Sequence, residues 1–267
     1  MTKLSERLLI LSAHPDDSSI GPPATVALMQ REGWDIVDFC CSLGGTDPAD
    51  QQRRLDEITE ASRRASIRLE LADPIAALNS KSHPERYEAN LTQQIQQKIL
   101  TLQPSIVVAP HPHELHPGHE VVARAVLHAM SAIDTPPILW CWNIWGDLPF
   151  PSLYTPFGQE ILDRLQYILE AYEGELDRMP YWDMVRGRAI LNRVLGSEKT
   201  FHFGAALISD ESYAETLLEL VRQGDKWLRG TPRVLNPAEP FVEPSDDDLS
   251  WWLATPSPQS TFEQHRK

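Results

Sequence analysis

The sequence predicts an α/β fold, a Rossmann-like, doubly wound and mostly parallel sheet with helices on both faces. Two observations carry that expectation. Short apolar runs of strand length alternate with amphipathic helical stretches over the first 142 residues, the order that buries a parallel sheet between helical layers. Two clusters of His, Asp and Glu, Ala13-His14-Pro15-Asp16-Asp17 and Glu114-Leu115-His116-Pro117-Gly118-His119-Glu120, each follow such a run, where a doubly wound sheet opens its ligand crevice.

Residues 8–11 (LLIL) form a continuous apolar run, the pattern of a strand buried on both faces. After the HPDD turn, residues 24–31 read as a helix closed by Gly33. Residues 36–41 are a second strand, ending in the turn Ser42-Leu43-Gly44-Gly45-Thr46, and residues 50–66 are a charged helix with apolar residues on one side. Residues 67–71 are a third strand. The helix expected over Glu88–Leu102 has Leu91, Ile95, Ile99 and Leu100 on its apolar stripe. Residues 105–109 (SIVVA) are a fourth strand, followed by the histidine-rich loop. The next helix sets Val122, Ala125, Val126, Ala129 and Met130 on one face, and Ile138–Trp142 is a fifth strand.

The second half is less regular. A Pro- and Trp-containing insert near residues 143–158 is followed by helices over 160–176 and 182–195, a strand over 201–208 and a helix over 211–228. Residues 1–228 are expected to form one domain. Residues 229–267, rich in Pro, Asp and Ser, read as a poorly ordered tail.

The chain has 267 residues, enough for one large α/β domain. Its 24 basic and 38 acidic side chains give a net charge of −14, which argues against a nucleic-acid or anionic-membrane partner. Cys40, Cys41 and Cys141 are too few and too irregular for a disulfide framework or a C-x-x-C metal site. The opening MTKLSERLLILSAHPDD lacks the apolar core and cleavage site of a signal peptide, and no run reaches the ~20 apolar residues of a membrane span. The expected location is cytoplasmic.

In doubly wound sheets the first and fourth strands commonly lie side by side, which brings the two clusters into one pocket. His and Asp suit zinc, and three protein ligands with an open fourth position mark a catalytic site. His14, Asp17 and one histidine of the second loop supply such a set. An isolated H-P-D-D also serves as a simple turn, and a histidine-rich loop as solvated surface; their pairing at adjacent strand ends favours metal-assisted hydrolysis. The first strand–helix turn, HPDDSSIGPPA, lacks the Gly-rich phosphate fingerprint of a nucleotide-binding protein.

The first cluster with the strand before it, the second cluster, and Arg54-x-x-Glu57-x-x-x-Ala61 between them resemble the PIG-L/LmbE-like N-acetylglucosaminyl deacetylases over residues 7–130. The resemblance implies a zinc ion held by His14, Asp17 and His119, with Asp16 as general base, His116 as catalytic histidine and Arg54 as a substrate contact. Arg54 also stands at the spacing of a helix-surface ion pair with Glu57. It further implies a small amino-sugar substrate, acetate as a product and, often, a homo-oligomer. Iron(II) fits the same donors. In the expected reaction Asp16 takes a proton from the attacking water, and a protonated His116 steadies the oxyanion. Three departures stand out. Ser18 replaces the usual Glu after HPDD, Pro22-Pro23 replaces a Gly-Gly, and Gly118 occupies the place of an Asp that orients the catalytic histidine. Glu114 or Glu120 is the candidate to supply that carboxylate. The same chemistry on another amide, such as a thiol conjugate or an acylated antibiotic, and a zinc-dependent binding protein with little turnover are the alternatives.

Overall fold

The computed structural model of the chain describes residues 6–78 and 83–256. Strands β1 (Arg7–Ser12), β2 (Asp35–Ser42), β3 (Arg68–Ala76), β4 (Ile106–Pro110) and β5 (Ile138–Trp142) run parallel in the order β3-β2-β1-β4-β5. The one-turn α1 (Asp17–Ile20), α2 (Pro23–Arg31), α3 (Pro48–Ala65), α4 (Glu88–Leu102) and α5 (Pro117–Ser131) connect them. This is the predicted mostly parallel α/β sheet with helices on both sides.

Strand β1 lies between β2 and β4, and its residues 8–11 are all 0% exposed, which is why the run is apolar without alternation. Its side chains still divide by face. Leu9 and Leu11 join Val107, Ala109, the α4 stripe Leu91, Ile95 and Ile99, and the α5 residues Val122, Ala125, Val126, Ala129 and Met130. Leu8 and Ile10 join Ile36, Val108, Trp140 and Ile58 of α3 on the other face. Leu100, expected on the α4 stripe, is instead exposed, because three buried positions already span the helix's contact arc. The α3 start is set by Asp47, whose side chain accepts from the Ala49 and Asp50 amides at 2.9 and 3.0 Å, with Pro48 at the first position.

The second half departs from expectation. Strands β7 (Tyr213–Gln223), β8 (Lys226–Gly230) and β10 (Pro244–Asp248) extend the sheet past β5 in the order β5-β7-β8-β10, all three antiparallel, while β6 (Leu153–Phe157) pairs antiparallel with β7 and parallel with β9 (Arg233–Val234) off that path. The helix expected over 211–228 is therefore a hairpin. Ala, Glu and Leu in AETLLELV favour helix, but Ala214, Leu217, Leu218 and Leu220 are almost fully buried within the sheet, and packing overrides propensity. The Gly224-Asp225 loop, with Gly224 at φ +60 and Gln223 paired to Lys226, carries the hairpin signal.

Helices α6 (Gln159–Leu169), α7 (Glu173–Arg178), α8 (Tyr181–Leu191) and α9 (Ser197–Phe201) replace the two longer helices expected. The first breaks so that the buried Tyr172 can donate its hydroxyl to the Pro15 carbonyl at 2.7 Å, beneath the HPDD loop. The second passes through a wide turn, Asn192–Gly196, into α9. No regular strand forms over 201–208, where Phe203 is 80% exposed.

The tail expected to be poorly ordered instead contributes β9, β10 and α10 (Ser250–Ala254) through residue 256. It is tied down by buried Trp252 and by Arg233, whose two terminal nitrogens bond the two oxygens of fully buried Glu219 at 2.8 Å each. A charged pair satisfied in this way is invisible to composition.

Candidate active site

The β1–β4 pairing (Leu8 opposite Ile106, Ile10 opposite Val108) sets the two motif loops beside each other at the carboxyl ends of the strands. The HPDD loop closes on itself, with the His14 amide donating to Asp17 Oδ2 at 2.8 Å. The second loop ends at the N-terminus of α5, where His116 is the capping residue and Pro117 the first helical one. His14, His116 and His119 thereby form a group whose ligating atoms all lie within 4.8 Å of one another.

Asp17, 3% exposed, sits between two of these rings: His119 Nε2 is 3.2 Å from Oδ1 and His14 Nδ1 is 3.8 Å from Oδ2. The far nitrogen of each ring is engaged elsewhere. His14 Nε2 lies 3.1 Å from the Leu78 carbonyl, and His119 Nδ1 lies 2.9 Å from Glu114 Oε2. A carbonyl and an ionised carboxylate only accept, so those nitrogens carry protons, and His14 Nδ1 and His119 Nε2 face Asp17. Burial lowers His119, but Asp17 and Glu114 outweigh it and push the ring up to about 10. Its Nε2 therefore holds a second proton that donates to Asp17 and that a bound cation would displace. His116 differs. Its Nδ1 accepts the Gly118 amide at 3.2 Å, which leaves the proton of a neutral ring on Nε2.

The electrostatics follow from burial and neighbours. Asp16 is pushed up to about 7, first by burial and then by the charges of Asp17 and Glu175. Burial works against ionised Asp17 too, but His119 and His14 outweigh it and hold the carboxyl at about 2. Glu114 also overcomes burial, through hydrogen bonds from His111 and His119, and stays at about 2. His116 is pushed down to about 3 by burial and by the neighbouring His14 and His119. The expected imidazolium at His116 is thus corrected to a neutral imidazole with an Nε2–H.

Gly118 has a steric reason. A Cβ there would meet the Leu78 carbonyl oxygen at 2.5 Å and His14 Cε1 at 2.9 Å. Of the two candidate carboxylates, Glu114 serves His119. Ser18 is buried under the loop. Pro23 starts α2, whose Ala24 and Thr25 amides are capped from across the fold by Glu215 at 3.0 and 2.9 Å.

The motif residues open into a cavity of about 230 Å³, lined also by Arg54, Gly44, Gly45, Ile144, Trp145, Glu175, Arg178 and Tyr181. Arg54 reaches it without pairing to Glu57. Its guanidinium bonds Glu175 and lies 3.3 Å from Asp50 Oδ2, whereas Glu57 takes Arg53 at 2.6 Å. Glu175, Arg178 and Tyr181 on α7 and α8, and Trp145 after β5, are site residues that sequence reasoning missed. They belong to no motif, and only the break at Tyr172 brings α7 over the cavity. His111 and His113 face away from the cavity and pack against Trp252 of α10, with ring centroids 5.6 and 4.8 Å away.

Residues 9–130 match the family model of the GlcNAc-PI de-N-acetylases, PIG-L, a span that begins in β1, ends in α5 and contains both loops. The match covers 122 of the chain's 267 residues, just under half. The probable N-acetyl-alpha-D-glucosaminyl L-malate deacetylase 2 of Bacillus subtilis (strain 168) is 27% identical over 143 residues, which is 48% of this chain and 62% of that protein's length. Among solved structures, the A40926 pseudoaglycone deacetylase Dbv21 aligns with a TM-score of 0.62 at 18% identity, over 79% of this chain and 95% of its own. GalB, the 4-carboxy-2-hydroxymuconate hydratase of Pseudomonas putida KT2440, aligns with a TM-score of 0.63 at 15% identity, over 82% and 97%. These two likenesses establish the fold alone, and they carry different chemistries on it.

Proposed function

We propose that this chain is a metal-dependent N-deacetylase of the PIG-L type that releases acetate from an N-acetylglucosamine-type sugar or sugar conjugate. The observation that supports it most is the convergence of His14 Nδ1 and His119 Nε2 on Asp17, with each ring's other nitrogen engaged by an acceptor. His14, Asp17 and His119 would hold the ion. The donor set suits zinc and also accommodates iron(II). When bound, the ion supplies Lewis acidity to water and to the acetamide carbonyl.

The remaining groups have distinct tasks. Asp16, raised to about 7, accepts the proton of the attacking water. The Nε2–H of His116 donates to the carbonyl oxygen as it gains negative charge. As the C–N bond breaks, Asp16 passes its proton to the departing nitrogen, giving acetate and a free amine. Arg54, fixed by Glu175, contacts the sugar. The curated relative's name supplies the substrate class, an N-acetylglucosaminyl conjugate. The test is acetate release from N-acetylated sugars and sugar conjugates by zinc- or iron(II)-loaded protein. Release from at least one supports the reading, and none from a panel that includes acylated glycopeptides removes it.

A further inference from the structure

Glu114 is 0% exposed and accepts at both carboxylate oxygens. Oε2 takes His119 Nδ1–H at 2.9 Å and the Trp145 amide at 3.3 Å. Oε1 takes the amides of Ile144 at 2.8 Å and Gly146 at 3.2 Å, with His111 Nε2 3.4 Å away. An ionised carboxylate offers about four lone-pair sites, and here they are divided between a ring on α5 and three consecutive amides after β5. Those amides belong to the segment that carries Ile144 and Trp145 into the cavity wall.

The segment is fixed from its other side as well. Arg188 of α8 donates to the carbonyls of Asn143 and Ile144 at 2.8 and 2.5 Å, and Trp145 packs edge-on to Tyr181 with centroids 6.3 Å apart. Gly146 lies so close to the histidine loop that a Cβ would meet the His113 carbonyl oxygen at 2.2 Å.

We propose that Glu114 is a positioning residue that couples the ligating nitrogen of His119 to the Trp145 wall, so that metal affinity and the shape of the substrate cavity are set together. It rests on His119 being a metal ligand. The carboxylate fixes the imidazole's tautomer and orientation and raises its basicity, while the same two oxygens hold the wall.

Zinc alone is the probe, titrated into chelator-stripped full-length protein against a chromophoric chelator, with tryptophan emission recorded and Trp145→Phe used to isolate the Trp145 signal. Wild type should bind one zinc with a change in Trp145 emission. Glu114→Gln, whose single acceptor oxygen cannot serve both sides, should bind zinc about 10–100-fold more weakly and lose the emission change at saturating zinc. Gly146→Ala leaves Glu114 and every ligand intact but pushes the segment away, and it too should weaken zinc. A merely structural role would lower the melting temperature of both variants with zinc affinity unchanged, and that result overturns the proposal. If neither variant folds, wild-type emission decides: a zinc-bound protein with an unresponsive Trp145 is equally contrary. Failure of wild type to bind zinc counts against the metal reading instead.

Discussion

The Gly118 amide donates to His116 Nδ1 at 3.2 Å across the first turn of α5. The contact places the imidazole proton on Nε2, and burial with the adjacent His14 and His119 keeps the ring neutral by pushing it down to about 3. In the proposed reaction His116 would therefore act as a neutral donor across the working pH range. We expect no loss of activity attributable to His116 between pH 6 and 9, and His116→Ala should lower kcat by about 10²–10³ while retaining metal. Activity–pH profiles of the two proteins check this. An alkaline limb present in wild type and absent in His116→Ala would restore the imidazolium.

Gly118 is needed for space. Gly118→Asp or Gly118→Ala should displace the Leu78 carbonyl or the His14 ring, which a Cβ would approach within 2.9 Å. Metal affinity should fall about tenfold or more, since the displaced carbonyl orients a ligand. A Gly118→Asp variant with wild-type zinc affinity and a wider active pH range would contradict the steric account.

Asp16 and Asp17 have opposite environments, one pushed up to about 7 and the other held at about 2. A base works only when deprotonated, so activity should be lost as pH falls through the Asp16 value. A bound cation moves that midpoint below 7. Asp16→Asn should lower turnover by about 10²–10⁴, abolish the acid limb and keep the metal. Asp17→Asn should weaken the metal itself. Identical behaviour of the two variants, measured by metal content and kcat/KM, would refute the division of roles.

Arg233 and Glu219 tie the last strands to the sheet. Arg233→Ala leaves a fully buried carboxylate with Trp140 Nε1 as its remaining side-chain donor among the described residues, and should cost about 3–5 kcal/mol of stability. Chemical denaturation reads this directly. A loss under 1 kcal/mol would mean the tail contributes little to the fold.

The first 142 residues were legible because a parallel sheet buries its inner strands on both faces and leaves unbroken runs such as LLIL, with the polar motif loops at their ends. The same logic located His14, Asp17, His116 and His119 at one crevice. Beyond residue 142 tertiary contacts decide. AETLLELV is a strand because β5 and β8 flank it, and residues 229–256 of the tail are held in place because Arg233 finds Glu219. The α7 wall was hidden for a similar reason: Glu175 faces the cavity only because Tyr172 anchors to Pro15. Glu114 was named in the sequence as a candidate partner of His116, but five residues along the chain give no direction, and the carboxylate turns to His119.

The most direct measurement is metal content per chain, by elemental analysis after gel filtration, of wild type, His14→Ala, His119→Ala and His116→Ala. His14 Nδ1 and His119 Nε2 both face Asp17, with each ring's other nitrogen held by an acceptor, whereas His116 Nδ1 accepts the Gly118 amide. Wild type and His116→Ala should therefore each carry about one divalent ion, and the other two variants should carry almost none. Full occupancy in His14→Ala and His119→Ala, or loss of metal in His116→Ala alone, would contradict the assignment.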